Sequence, residues 1–231
     1  EYSDFKYANQ KTYREVSTRY LTAKTGGPQW QYGVVYPAQD AGRQLHAFRA
    51  VIDFAAPAIK TWWMETNATA ATAGLAYAYQ EQRIDWSVVS QKDYGWALNN
   101  GNPYVAWVNT TRDGVTTRVE QTVDGYGNQT QQKVFNTDLL AANARVYNYT
   151  YLAGGYATGL YIRNRMTSAT MTAGGQTYPL ATNQYDIGWP QDTWAEDPFG
   201  MRLHDAAFGT GYLPRGNVTS AWTMSTQVTK Q

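Results

Sequence analysis

The chain has 231 residues, a formal net charge of +1, and charged residues at 16% of its composition. That balance creates no field strong enough to steer the chain onto phosphates or anionic lipid, which argues against nucleic acid as a partner. The chain contains no cysteine, which excludes disulfides, thiolate nucleophiles and zinc–thiolate sites. No apolar stretch approaches the roughly 18 residues that a bilayer-spanning helix needs, so we expect no transmembrane segment.

Aromatic residues make up 15% of the chain and include 19 Tyr and 9 Trp. Tyr and Trp are apolar in body and polar at one tip, and therefore suit half-buried surfaces, interfaces and sugar platforms. At this length a single all-β sandwich or barrel can bury a full core.

Along the chain, residues 1–28 carry the highest charge density and are interpreted as an irregular arm. Strands are predicted over 29–36 and 45–54. The second of these alternates, which predicts a half-buried strand. Its apolar face is formed by His46, Phe48, Ala50, Ile52 and Phe54.

Further strands are predicted over 59–65, 72–84, 104–108 and 115–123. Asp113-Gly114 between two alternating runs favours a tight hairpin, because Gly accepts positive φ.

Two Gly-Gly pairs mark later turns. Gly154-Gly155 separates predicted strands at 146–152 and 156–162, and Gly174-Gly175 separates those at 169–172 and 176–180. A short connecting helix is predicted over 137–143, with Thr137 as its N-cap.

Short strands with turns about every ten residues predict an all-β fold, a jelly-roll-like β-sandwich or barrel with irregular N- and C-terminal arms. We divide the chain into an N-terminal arm (1–28), a β domain (29–184) and a loop-rich C-terminal segment (185–231). Proline breaks that last segment repeatedly, and its final stretch over 222–230 alternates weakly and could add a strand.

Residues that build common catalytic sites are scarce. His46 and His204 are the only histidines, so a three-His metal site is impossible, and both are interpreted as structural. The acidic residues between 186 and 205 lie among Trp189 and Trp194 and could serve a glycosidase, although acids beside Pro and Trp also form turns. We therefore expect no enzyme, no metal site and no cofactor, with a glycan- or wall-active enzyme as the remaining alternative.

One segment carries a local resemblance. Gly200-Met-Arg-Leu-His-Asp-Ala-Ala-Phe208, followed by Ser220, resembles the end of an L,D-transpeptidase catalytic domain, where a Leu-His-Asp-Ala segment precedes a Ser-His-Gly-Cys motif. In this chain Ser220 is followed by Ala221, Trp222 and Thr223, so the catalytic His and Cys are missing. The resemblance therefore implies no transpeptidase activity.

The whole chain resembles, in composition and layout, the jelly-roll capsid proteins of viruses and, less closely, the β-rich subunits of extracellular filaments. Few charges and many amphipathic aromatics suit extensive contacts. The resemblance implies a non-enzymatic structural subunit of a virion or extracellular assembly, with copies of itself and other structural subunits as partners. The candidate binding and assembly residues are Tyr2, Phe5, Tyr7, Trp62, Trp189, Trp194, Trp222 and Met224.

A carbohydrate-binding module is the alternative, with Trp62, Trp63, Trp189 and Trp194 as stacking platforms. Because Trp62 and Trp63 are adjacent in a predicted strand, they should point to opposite faces.

Five Asn-x-Thr sequons are candidate glycosylation sites. Asn109 and Asn128, close to predicted turns, are favoured among them. The five asparagines are Asn67, Asn109, Asn128, Asn148 and Asn217.

Overall fold

The computed structural model describes residues 2–6, 12–20, 31–35, 46–53, 58–187, 216–224 and 226–229. Most of them lie in β-strands, which confirms the predicted all-β fold. The strands are β1 Tyr2–Lys6, β2 Thr12–Val16, β3 Thr18–Tyr20, β4 Gln31–Val35, β5 Phe48–Asp53, β6 Ala58–Met64, β7 Ala76–Arg83, β8 Val88–Asn99, β9 Asn102–Arg112, β10 Val115–Val123, β11 Gln129–Val134, β12 Arg145–Tyr151, β13 Met166–Ala173, β14 Gln176–Tyr185, β15 Val218–Thr223 and β16 Thr226–Thr229. The described helical segments are a 3-10 turn, Ala141–Asn143, and a single α-helical turn, α1, Gly155–Thr158.

The chain forms two compact units. The first unit comprises Glu1–Gln121 and Val134–Ala141, and the second comprises Thr122–Lys133 and Ala142–Gln231.

In the first unit, β3 to β10 form a sheet in which each strand pairs antiparallel with the strand before and after it. Strands β1 and β2 form a separate hairpin inside the predicted N-terminal arm. In the second unit, β11 to β16 also follow one another in sequence order. This order is that of a β-meander. The Greek-key crossovers that define a jelly roll are not found among the described strands of either unit.

Tight hairpins set the register of both sheets. Arg112 lies opposite Val115, and the intervening Asp113 and Gly114 have φ of 51° and 76°. Positive φ at both central residues matches a type I′ turn, so the predicted Asp-Gly hairpin is confirmed. Gly174-Gly175, with φ of 55° and 78°, makes the same connection between β13 and β14 in the second unit.

The core of the first unit lies on one face of β5, β6 and β7. Ala50 and Ile59 are 0% and 1% exposed, and both project from the face predicted for the 45–54 strand. The buried Thr61 hydroxyl donates a hydrogen bond to Oε1 of the buried Gln82 at 2.8 Å. Because both groups are removed from water, each depends on the other for its hydrogen bond.

His46 is also buried in the first unit, as its interpretation as a structural residue requires. Its Nε2 lies 2.7 Å from Oε2 of Glu15 in β2. This contact ties the β1–β2 hairpin to the segment that leads into β5.

Two predicted elements are wrong. The predicted strand over 156–162 is instead α1 followed by irregular chain, because Thr158 returns both its N–H and its hydroxyl to the carbonyl of Gly154. The predicted helix over 137–143 is reduced to the 3-10 turn Ala141–Asn143. Most of the predicted C-terminal segment, including His204, lies outside the described residues.

Candidate interaction surface

Exposed apolar side chains gather at one end of the sheet in the first unit. Turns of an antiparallel meander alternate between the two ends, so the β7–β8 and β9–β10 connections lie at the same end. Ile84, Trp86 and Val88 belong to the first connection, and Val115 begins β10 at the second. Each of these four side chains is at least 50% exposed.

The strand register brings the starts of β8 and β10 near each other. Ser90 and Val115 both lie opposite Arg112, on either side of β9, so the ends of β8 and β10 are two strand spacings apart, or about 10 Å. The backbone N–H of Phe135 donates to the carbonyl of Arg118 in β10 at 2.9 Å, which attaches the loop that follows to the same sheet. That loop exposes Leu139 and Leu140. We call the six residues Ile84, Trp86, Val88, Val115, Leu139 and Leu140 the apolar rim.

Two rim residues have a backbone conformation that bulky side chains disfavour. Trp86 has φ of 64° and Leu139 has φ of 55°. Left-handed backbone at such residues costs about 1–2 kcal/mol each, and it persists only where the surroundings impose it. For Trp86, its N–H donates to the carbonyl of Arg83 at 2.9 Å, and its carbonyl accepts from Nε2 of Gln82 at 3.4 Å. The turn therefore fixes a strained, exposed indole.

Charges of both signs surround the rim. Arg83 and Asp85 flank Ile84 on one turn, Arg112 and Asp113 adjoin Val115 on the other, and all four are exposed. The hydroxyl and then the backbone N–H of Ser87 hydrogen-bond to Asp85 and hold the pKa of that carboxyl below its usual value. Each turn thus presents one cation and one anion.

A polar row crosses the middle of the same sheet. Trp63 Nε1 donates to Gln80 Oε1 at 3.4 Å, Gln80 Nε2 donates to Gln91 Oε1 at 3.1 Å, and Gln91 Nε2 donates to Asp93 Oδ1 at 2.7 Å. These side chains hydrogen-bond to one another across β6, β7 and β8. These side-chain hydrogen bonds therefore help to hold β6, β7 and β8 together.

Trp107 occupies the neighbouring strand. A Cβ added to Gly95 would stand 2.0 Å from the Trp107 indole, so the ring lies directly against the Gly95 backbone. The Arg118 guanidinium carbon lies 4.7 Å from the ring centroid, and Arg118 Nε donates to Glu120 Oε1 at 2.8 Å. The Trp107 indole is therefore covered by Gly95 and Arg118 of the same unit.

The structure places Trp62 and Trp63 on opposite faces of β6, as predicted. Trp62 packs at a tilt against Tyr79, and Trp63 against Phe48, each with ring centroids 5.1 Å apart. Burial, followed by the hydrogen bond to Glu81, raises the pKa of Tyr79 well above its usual value.

None of the other predicted assembly residues that the structure describes is among the six residues of the apolar rim. Tyr2 in β1 and Met224 at the β15–β16 turn are 63% and 64% exposed, and Trp222 in β15 is half-buried. Phe5 is part of β1. Tyr7, Trp189 and Trp194 lie outside the described residues. The sequence gives one signal for the rim: tight turns at 83–87 and 113–114 that both carry apolar neighbours.

The side-chain amides of Asn67 and Asn128 differ in their hydrogen bonding. Asn67 lies in an exposed turn, where its Oδ1 accepts the backbone N–H of Thr69 at 3.1 Å and the Thr69 hydroxyl at 2.8 Å. Asn128 donates Nδ2 to Asp124 Oδ2 at 2.8 Å and to the carbonyl of Arg163 at 2.6 Å. Attachment of a glycan at Asn128 would replace one of the two Nδ2 hydrogens and so remove at least one of these bonds.

The remaining sequons occupy two strands and one turn. Asn109 and Asn148 lie within β9 and β12, where Asn109 Oδ1 is buried without a hydrogen-bond partner and Asn148 Oδ1 accepts from Gln131. Asn217 is exposed just before β15.

Across the described residues, no helix has the length and apolar character to cross a membrane. Within the same residues, no group of three or more His, Asp or Glu side chains is arranged to hold a metal ion.

No protein-family model and no curated protein matches the chain. Among solved structures, a porin-like protein from Bacteroides uniformis is similar with a TM-score of 0.37 and 12% identity, over 88% of this chain and 73% of that one. A likeness at that level carries no conclusion about what this chain does.

Proposed function

We propose that the chain is a non-enzymatic structural subunit of a larger protein assembly and that it docks through the apolar rim. A capsid shell is the first candidate for that assembly and an extracellular filament the second. The observation that carries the proposal is the rim itself: six exposed apolar side chains at one end of one sheet, two of them on strained backbone.

The size of the rim supports docking. Six half-exposed side chains of this kind present on the order of 500 Å² of apolar surface, which equals the largest patches on ordinary soluble monomers. Removing that area from water is favourable by roughly 12 kcal/mol, enough to offset much of the freedom that two proteins lose on association.

The charges around the rim favour a protein partner over a polyanion. Asp85 and Asp113 accompany Arg83 and Arg112, so the rim offers no net positive charge to a phosphate backbone or an anionic bilayer. A protein surface with its own mixed charges can pair with both signs.

Sedimentation velocity and electron microscopy of the purified chain test the proposal. The wild-type chain should form assemblies, and Val115→Lys should shift it to the monomer because the lysine would have to be buried without a partner. Leu98→Lys is the matched control, since Leu98 is 54% exposed in the hairpin at the opposite end of the sheet. It should assemble as the wild type does.

A wild-type chain that stays monomeric at every concentration would rule the proposal out, and glycan binding by that monomer would favour a carbohydrate-binding module. Equal assembly of the Val115→Lys and Leu98→Lys variants would show that the apolar rim is not the docking surface.

A further inference from the structure

The charged residues beside the rim have a self-complementary order. The β7–β8 turn carries Arg83 and Asp85, and the β9–β10 turn carries Arg112 and Asp113. A 180° rotation about an axis between these turns lays the first turn of one copy against the second turn of another. Arg83 then meets Asp113 and Asp85 meets Arg112, with opposite signs at all four contacts. A two-fold interface requires a surface that complements itself in this way.

From this order we infer that the partner of the apolar rim is the rim of a second copy of the chain, related by a two-fold axis that passes between the β7–β8 and β9–β10 turns. The inference rests on the proposed function and names the partner of that same surface.

The exposed side chains at the two turns agree with a two-fold pair. Ile84, Trp86, Val88 and Val115 of both copies, each at least 50% exposed, lie at the contact, and charged residues surround them. Trp86 is the aromatic anchor on the first turn, and Val115 beside the second turn of the other copy supplies aliphatic surface against which it packs. Aromatic anchors of this kind carry much of the binding energy of interfaces.

A single introduced cysteine tests the symmetry, because the chain has none of its own. In Val115→Cys, the two thiols of a pair would lie roughly 14 Å apart, three strand spacings across the axis, and a bismaleimide of that reach would join them by adding one thiol to each maleimide. In the control, Leu98→Cys, the thiols lie at the far ends of the two sheets. At a concentration at which the wild type assembles, we expect at least fivefold more cross-linked dimer from Val115→Cys than from Leu98→Cys.

A charge reversal provides the second arm. Arg83→Glu places a carboxylate opposite Asp113 twice in each pair and should weaken dimerisation at least tenfold by sedimentation, with an unchanged circular dichroism spectrum.

The two proposals fail differently. If the wild type assembles but Val115→Cys cross-links no better than Leu98→Cys, or Arg83→Glu dimerises normally, the self-pairing is overturned and the structural function stands. If the wild type is monomeric at all concentrations, both fall.

Discussion

The two turns that border β8, one at each end of the sheet in the first unit, solve the same backbone problem with different residues. At the end opposite the rim, β8 and β9 are joined by Asn100-Gly101, with φ of 49° and 82°, and these residue types accept left-handed backbone readily. At the rim end, the β7–β8 turn gives that conformation to Trp86. The β8–β9 turn uses residues that accept left-handed backbone readily, whereas the β7–β8 turn holds an exposed indole in a conformation that it disfavours. This difference indicates that the β8–β9 turn only connects two strands, whereas the β7–β8 turn also presents an apolar side chain at the surface.

The largest expected effect contrasts the core with the rim. Ile59→Ala should lower the free energy of unfolding by about 2–5 kcal/mol, because Ile59 is fully packed on the core face. Val88→Ala, at the rim, should lower it by less than about 1 kcal/mol. Denaturant titration measures both. Equal losses would mean that Val88 contributes to the core as much as Ile59 does, which would contradict the assignment of the rim as an exposed surface.

A smaller effect is expected where the sheet packs a large ring on bare backbone. Gly95→Ala should cost about 1–3 kcal/mol, because the new methyl group collides with the Trp107 indole. In a Trp107→Val background the same change should cost at least 1 kcal/mol less, a coupling that a double-mutant cycle measures. Independent costs would show that the indole does not lie on Gly95. The cycle therefore measures side-chain packing in the middle of the sheet, between the two ends that are compared.

The smallest effect on stability should come from the rim, together with a clear effect on assembly. Trp86→Asn replaces a strained residue with one that accepts positive φ, so the free energy of unfolding should stay unchanged or rise by up to about 1 kcal/mol. Assembly should weaken, because the exposed indole is lost. A fall in stability of more than 1 kcal/mol, with assembly intact, would show that Trp86 stabilises the fold and does not serve assembly.

Local chemistry made much of the fold predictable. Asp113-Gly114 and Gly174-Gly175 state the type of turn directly, and the alternation around Ala50 indicates which face is buried. Strand β8 was missed because its side chains are mostly polar and acquire hydrogen-bond partners, such as Gln80 for Gln91, only across the finished sheet.

The backbone strain and the assembly of the rim from separate turns were beyond the reach of sequence reasoning for a different reason. Nothing local marks Trp86 or Leu139 as left-handed, since the surrounding hydrogen bonds impose that conformation on residues that disfavour it. The proximity of the starts of β8 and β10 depends on the register of three consecutive strands. The same limit explains the error over 156–162, where alternating residues follow a Gly-Gly pair that begins a helical turn.

Amide hydrogen exchange across a concentration series compares the two ends of the sheet in a single sample. If the chain assembles through the rim, amides in 84–88 and 113–116 should exchange more slowly as concentration rises, while those in 98–102 should keep the same rates. Exchange rates that stay constant at the rim, or that fall equally at both ends, would contradict the rim as the docking surface.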